Sequence, residues 1–377
     1  MAGKILTTSI PKPSINLPAA VNRTAALTGR SPFQVGRGVL RAMLTGQKLT
    51  PVDYFVQGAW LGDAAQFVGG TSNLLLNESL QAAGNTNLTG LLNDKYLTGL
   101  VLEANGFPVP ALKAVFATDR SFGPLPTLKT AEALADWTSD ASNLSAFAKP
   151  VDGSMALGSV PLRAGAAGLV DIGGREVDVT ALAHEVAQAF PQGWLIQELL
   201  KQPAEIEALI GPGVGTVRVV TLWEAGGPRV MYAVWRHPAV GTWVDSAIFG
   251  KPNIGCALDP MTGEVVQAHV GDLFKGKPIT HSLVTPELPL IGYRLPGWPE
   301  VVRICNEAHR LFPGHALLGW DIALTDRGPV ISELNSNPLH MSYQRAFKRG
   351  FLHPEHVARL DAARALMRSR VGEKAGK

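Results

Sequence analysis

The stretch GWDIALTDRGPVISELNSNP, from Gly319 to Pro338, restricts the fold of this chain more than any other. Apolar residues alternate with others at period 2 on both sides of Asp326-Arg327-Gly328, the pattern of a β-hairpin. Three residues are foreign to such a hairpin: Asp321, Glu333 and Asn335. If the turn is a three-residue loop with Gly328 in the left-handed region, Thr325 pairs with Pro329 and Asp321 lies directly opposite Glu333. Opposed residues share a face, with Cβ atoms roughly 4.5–5.5 Å apart. Asn335, two residues beyond Glu333, falls on that face too. Two carboxylates so close repel each other, so a positive group belongs between them. Oxygen-only ligands of this kind suit Mg²⁺, with Mn²⁺ as the alternative. The competing reading is an exposed hairpin face carrying two unrelated acids. A two-residue loop puts Asp321 and Glu333 on opposite faces, and parity alone does not decide.

The rest of the chain predicts an α+β protein, because strands and helices come in separate runs rather than strict alternation. ALKAVFA (111–117), SAFAKPV (145–151) and GWLIQELL (193–200) read as short strands, with helices near 129–138 and 204–209. TVRVVTLWE (216–224) and PRVMYAVWR (228–236) alternate at period 2 around a glycine turn. PEVVRICNEAHRLF has apolar residues at 301, 302, 304, 305, 308, 311 and 312, an amphipathic helix. NDKYLTGLVLEANGFPVP is a capped helix ending at Gly106, residues 31–92 are mostly helical, and 354–370 form a last helix. No apolar run reaches the ~20 residues of a membrane helix. Cys256 and Cys305 are the only cysteines, which fits buried thiols in a reducing cytoplasm.

Charge is unevenly spread. Residues 1–52 hold seven of the 34 Lys and Arg and no acid, which leaves 27 basic residues against all 31 acids for the remainder. A basic, Ser- and Thr-containing N-terminus is a transit peptide, a surface for an anionic partner, or a solvated arm. Residues 1–30 are expected to be a flexible arm of this kind, with 1–20 poorly ordered.

Several cations stand where an anion is needed. In FAKPVDGSMALGSV a strand delivers Lys149 to a small-residue loop of Gly153, Ser154 and Gly158, whose backbone can approach phosphate oxygens. The alternative is an ordinary glycine-rich hairpin, since the GxxxxGK[ST] order is missing. Arg218 and Arg236 sit in apolar strands, where a guanidinium requires an anion. That anion is Asp321, Glu333 or a transferring phosphate. Lys95 opens a helix. The histidines show no ligand spacing and no catalytic grouping, so His237, His309 and His340 read as ordinary.

Taken in order, these pieces resemble the ATP-grasp superfamily, and most closely its sugar-transfer-associated branch. NDKYLTGLVLEANGFPVP is similar to the lysine-bearing helix, FAKPVDGSMALGSV to the strand, lysine and glycine loop, and WLIQELL to the adenine-contacting linker. GVGTVRVVTL, AVWRHP and WVDSAIFG resemble the central sheet, and the Gly319–Pro338 stretch the metal-binding end. The resemblance implies two α+β subdomains clasping ATP: a lid at 93–200, a larger unit at 201–350, and a C-terminal helix and tail at 351–377. It further implies that Lys95 and Lys149 contact the nucleotide and that Gly153, Ser154 and Gly158 close over its phosphates. Gln197, Glu198 and the backbone near Leu200 would meet adenine, Asp321, Glu333 and Asn335 would hold Mg²⁺, and Arg236 would stabilise the phosphoryl group. Arg218 would be substrate-facing or structural. The chain departs from the family at VDSAIFGKPN, where Ser246 replaces an Asn and only Gly250 is left of a Gly-Gly pair, with Lys251 or Asn253 as substitutes. Glu205 and Glu207 are the candidates for the ribose hydroxyls.

The implied activity is an ADP-forming carboxylate–amine ligase acting on an amino acid, peptide or sugar derivative. A kinase for a hydroxyl and a non-catalytic ATP-binding module in polymer or saccharide assembly are the alternatives. No nucleic-acid partner is expected, and the basic N-terminus is the candidate contact with an anionic surface.

Overall fold

Period-2 patterning dictates two sheets. They are seen in a computed structural model that describes residues 4–9, 14–44, 46–82, 86–140, 142–166, 168–245 and 251–372. The first sheet holds β1 (Leu112–Phe116), β2 (Thr127–Leu128), β3 (Ala146–Pro150), β4 (Val160–Ala164), β5 (Leu169–Asp171), β6 (Glu176–Asp178) and β7 (Trp194–Glu198), in the order β2-β1-β7-β3-β4-β5-β6. The second holds β8 (Thr216–Glu224), β9 (Gly227–His237), β10 (Ile254–Leu258), β11 (Val265–Val270), β12 (Lys277–Pro278), β13 (Leu317–Thr325) and β14 (Gly328–Asn335), in the order β12-β11-β10-β9-β8-β13-β14. The helices are α1 (Leu17–Thr28), α2 (Pro32–Leu44), α3 (Pro51–Val56), α4 (Gly70–Glu78), α5 (Thr86–Leu92), α6 (Lys95–Ala104), α7 (Ala131–Ser139), α8 (Val179–Ala189), α9 (Ala204–Ile210), α10 (Trp298–His309), α11 (Met341–Phe347) and α12 (Pro354–Gly372). The class is α+β, two seven-stranded sheets with a helical N-terminal region.

Strand alternation sorts the side chains of the first sheet. Ala146 and Ala148 of β3 and Trp194 and Ile196 of β7 join Leu134 of α7 and Leu182 and Val186 of α8 in one core. Lys149, Leu195 and Gln197 therefore point to the other face, where α6 lies.

The second sheet is coated differently on its two faces. Val217, Val219, Trp235, Trp320 and Ile322 pack under α10, whose Val301, Ile304, Cys305 and Ala308 supply the matching stripe. On the opposite face Leu317, Val220, Tyr232 and Val234 lie under α11 and α12. Along that same face the strands then run from apolar to charged. β13 reads Leu317, Gly319, Asp321; β8 reads Leu222, Val220, Arg218; β9 reads Tyr232, Val234, Arg236. The charged ends lie beyond the helical cover.

The expected three-residue turn is corrected. Thr325 pairs with Gly328 across a two-residue turn, Asp326-Arg327, and the ladder continues Leu324–Pro329, Ala323–Val330, Ile322–Ile331. Left alone, that register would put Asp321 and Glu333 on opposite faces. A bulge between Asp321 and Ile322 restores the pairing, because Ser332 is an extra residue, and Asp321 then faces Glu333. Ser332 is held there by its hydroxyl, which donates to Asp321 O at 2.8 Å. Gly328 does have a positive φ, 105°, but as the residue that closes the turn.

The expected flexible arm is also corrected in part. Ile5 N and Leu6 N donate to the two carboxylate oxygens of Glu185 at 2.8 Å each, and Leu6 is buried among the residues of the first sheet's core. Asn16 caps α1 by accepting from Ala19 N, and Gly29 ends it in the left-handed region. Both features depend on long-range docking or local caps that basic composition masks. Replacing Leu6 by Ala should cost about 2–5 kcal/mol of lid stability. Hydrogen exchange should rise in residues 146–198 and stay unchanged in 216–335; equal exchange in both would show that the segment does not hold the lid.

Candidate functional site

The site is built by strand pairing. Glu333 is opposite Asp321, and Asp321 is opposite Arg218 on its other side. Arg236 is opposite Thr216, one alternate step farther along β8. Directly paired residues share a face, so four adjacent strands lay Glu333, Asp321, Arg218 and Arg236 in one charged band. Gly319 permits it. A Cβ there would stand 2.7 Å from Pro338 Cβ, so a side chain would have to push the Pro338 ring away, whereas its 3.5 Å approach to Arg218 Cδ is an ordinary contact.

Asp321 is buried and doubly paired. Arg218 grips it through Nε to Oδ1 and Nη2 to Oδ2 at 3.0 Å, and Arg236 Nη2 adds a contact to Oδ2 at 2.9 Å. Burial pushes the Asp321 carboxyl up, but the guanidiniums of Arg218 and Arg236 outweigh it and hold the group well below the usual carboxylate range. Arg236 Nη2 also lies 3.1 Å from Asp245 Oδ2 and donates to Thr216 Oγ1 at 2.6 Å, and Thr216 in turn donates to Asp245. Arg236 Nε is buried with no hydrogen-bond partner.

Two lysines, Lys95 at the start of α6 and Lys149 in β3, approach from the side of the first sheet. Lys149 Nζ donates to Ser332 O at 2.9 Å, the carbonyl of the bulge residue. Lys95 Nζ donates to Gly153 O at 2.8 Å and lies 3.9 Å from Glu333 Oε1. Burial lowers the Lys149 ammonium to about 8, with Lys95 adding to the shift and Glu333 and Asp321 opposing it. Four cations thus meet three carboxylates, and the band has a positive surplus for an anion to neutralise. Lys95, Lys149, Leu195, Gln197, Ser332 and Glu333 line one crevice between the two sheets. Its volume is about 40 Å³, far below the roughly 300–1,000 Å³ of a small-ligand pocket, so this is a closed arrangement.

The donor set accommodates a hard divalent ion. An ionised carboxylate offers about four lone-pair positions, and the guanidiniums take three from Asp321, leaving one on Oδ1. Glu333 and Asn335 follow on the same face, and Asn335 Nδ2 is buried without a partner, which marks an unfinished polar site rather than a completed network. Among the described residues, no group of three or more His, Cys, Asp or Glu side chains gathers as a metal site of its own.

Other expected residues are placed apart from the crevice lining. Glu198 Oε1 accepts from Ala111 N at 2.8 Å and pairs with Arg327 at the hairpin turn, so the carboxylate ties lid to hairpin. Leu200 lies two residues past the end of β7, and Glu205 and Glu207 lie exposed in the first turn of α9. Gly153 joins the site only through its carbonyl, Ser154 is exposed, and Gly158 is buried beneath Phe190. Ser246 and Gly250 lie outside the described residues, whereas Asn253 Nδ2 donates to Asp245 O at 3.1 Å and Lys251 Nζ to Val240 O at 3.3 Å. Burial holds His237 at about 3, His309 at about 4 and His340 well below the ordinary value, so all three are neutral packing groups.

Residues missed in the sequence form a buttress. Asn73 and Asn77, one turn apart on α4, donate to Pro338 O at 3.1 and 3.0 Å. Their oxygens receive His340 N and face His340 Nε2, both at 2.9 Å, and Ser336 Oγ donates to Asn93 Oδ1 at 2.9 Å. Two asparagines at i and i+4 flanking Leu74-Leu75-Leu76 were the available signal. Asp245 and Thr216 had none, because their role is set by Arg236 across the sheet.

The family described as sugar-transfer associated ATP-grasp matches residues 77–359. No curated protein is significantly similar to the chain. Among solved structures, a D-alanine–D-alanine ligase from Bacillus anthracis is 11% identical, with a TM-score of 0.42, over 82% of this chain and 79% of that one. The D-alanine–D-alanine ligase from Coxiella burnetii is 12% identical (TM-score 0.41), and the L-amino acid ligase from Bacillus licheniformis also 12% (TM-score 0.39). They cover 76% and 88% of this chain, which spans 59% of the length of each.

Breaking the buried pair should be costly, and replacing it whole should not. Arg218→Met leaves Asp321 undercompensated and should destabilise by about 3–5 kcal/mol. Adding Asp321→Leu should recover at least half of that in urea denaturation. Additive losses in the double variant would show that the two side chains do not act as one unit.

Proposed function

The chain belongs to the sugar-transfer associated ATP-grasp family, and from that premise we propose that it is an ATP- and Mg²⁺-dependent ligase that joins a carboxylate to an amine, with release of ADP and phosphate. The observation that carries this reading is the meeting of lysines from the lid with a band of acids and arginines from the second sheet across one crevice. Such an arrangement neutralises a polyphosphate from two sides and needs no side-chain nucleophile. We assign 93–200 to the lid and 201–350 to the large subdomain.

In this reading Lys95 and Lys149 bind phosphate oxygens. The loop from Gly153 through Ser154 to Gly158 covers them, and Gln197 with the backbone at Leu200 meets adenine. Glu198 N and Leu199 N already donate to Ala111 O and Ser145 O, which favours Leu200 for the base. Glu333, Asn335 and Asp321 would hold Mg²⁺, which would supply charge neutralisation for the phosphates. Arg236, with its unspent Nε–H, donates to the transferring phosphoryl group, and Arg218 keeps Asp321 in place. A substrate carboxylate oxygen attacks the γ-phosphorus, the bond to ADP breaks, and an acyl phosphate forms. An amine then attacks the acyl carbon, phosphate leaves, and the amine gives up a proton to solvent or phosphate.

Two measurements test the proposal. ADP release from ATP and Mg²⁺ should require both a carboxylate and an amine, with an amide of summed mass minus water as product. A phosphoester formed with no amine would make the protein a kinase, and AMP would exclude both. The second concerns protonation. Lys149 carries its charge below about 8 and loses it above, so nucleotide affinity should fall as pH rises through 8. The fall should be at most roughly tenfold per unit, and Lys149→Met should bind weakly with a flat profile between pH 7 and 9. A wild-type profile equally flat would remove Lys149 from the phosphate site.

A further inference from the structure

The two faces of α2 are treated oppositely by the fold. Val35, Val39 and Ala42 are buried at 1–4% exposure, in a cluster shared with Tyr54, Phe55 and Phe274. At roughly 100° per residue, Phe33, Leu40 and Leu44 fall in one narrow line on the side away from that cluster. They are 79%, 55% and 70% exposed. Arg37 and Arg41, both exposed, border this line on one side, and Met43, 42% exposed, on the other. Leu27 of α1 adds a further exposed apolar side chain.

Single exposed leucines are common and need no explanation. Three large apolar side chains in register, opposite a buried stripe and bordered by arginines, make a second hydrophobic face on one helix. The segment that carries it is basic: residues 1–52 contain seven basic residues and none acidic. Arg23 lies over the Phe274 ring at 5.1 Å and Arg30 Nη1 donates to Trp60 O, so those two serve the fold. Arg37, Arg41 and Lys48 are exposed. The nearest following acids in sequence are committed locally, Asp53 to the Thr50 capping box and Asp63 to Ala65 N.

We propose that this face of α2 docks the protein on an anionic lipid bilayer. The helix has 13 residues, about 20 Å, too short to span, and no described helix is long and apolar enough to cross a membrane. It suits lying in the interface, with Phe33, Leu40 and Leu44 reaching the acyl boundary and the guanidiniums held among lipid phosphates. A protein partner would have to present an apolar groove ringed by acids. The bilayer presents both properties over any area, and the basic segment 1–52 matches its surface charge.

Flotation of the full chain with vesicles tests this. Vesicles of phosphatidylcholine with one-third phosphatidylglycerol should carry the protein upward, and pure phosphatidylcholine vesicles should not. F33S/L40S/L44S and R37E/K48E should each lower the bound fraction at least tenfold, with thermal midpoints unchanged because all five positions are exposed. The proposal is overturned by no flotation of the wild type on anionic vesicles, or by flotation that either variant leaves intact. It is equally overturned if the wild type forms a concentration-dependent dimer that F33S/L40S/L44S abolishes while vesicles bind nothing, since the face would then join two copies of the chain.

Discussion

A carboxylate buried in a sheet dictates what surrounds it. Asp321 is 6% exposed, and removing such a charge from water without compensation costs several kcal/mol. The sheet meets that cost with strand order: β8 brings Arg218 directly opposite, and β9 brings Arg236 one step away. Neither arginine could be reached by a neighbour in sequence. The antiparallel run β9-β8-β13-β14 is therefore also the device that neutralises the acid, and the site depends on the same hydrogen-bonded ladder as the core beneath it.

The extra residue in β14 does two things at once. It restores the face on which Glu333 and Asn335 stand, which a two-residue turn would otherwise direct toward Trp320 and Ile322. It also leaves the Ser332 carbonyl out of regular pairing, where Lys149 of the lid takes it. A bulge that re-aims groups beside a site is a usual use of that irregularity. Here it links β3 of the first sheet to the hairpin through a lysine whose ammonium burial makes easier to deprotonate.

Much of this was legible from period alone. The β-rich, turn-bounded segments 216–224 and 228–236 become β8 and β9, and the apolar spacing from 301 to 308 places α10 on the sheet face that needs it. Lys149 could be placed on a strand, and alternation then sets its face. The opposition of Asp321 and Glu333 was reached through an incorrect turn, because two one-residue offsets, the shorter loop and the bulge, cancel. Composition and turn residues carry no record of such a cancellation. The partner of Arg218 stayed open between Asp321, Glu333 and a phosphate because strand order, not sequence, brings it opposite Asp321. Glu198 was read toward adenine, yet its carboxylate serves Ala111 N and Arg327, a contact fixed only when lid and hairpin meet.

The closed crevice raises the question of which part yields. The glycine loop is fixed at its far end, where Gly158 N donates to Thr7 O at 2.9 Å and the adjacent Leu6 is sunk in the lid core. Its near end is held by Lys95 at Gly153 O. Between these anchors Met155 and Ala156 both adopt left-handed backbone, with φ of 60° and 59°. Side chains with a Cβ hold that conformation at a cost of roughly 1 kcal/mol or more each, and Met155 is exposed, so little packing offsets it. The strain is thus concentrated in the middle of a loop pinned at both ends. A phosphate that displaced the Lys95 contact would release the near end first, and the loop would rearrange about Gly158 rather than with the lid as a whole.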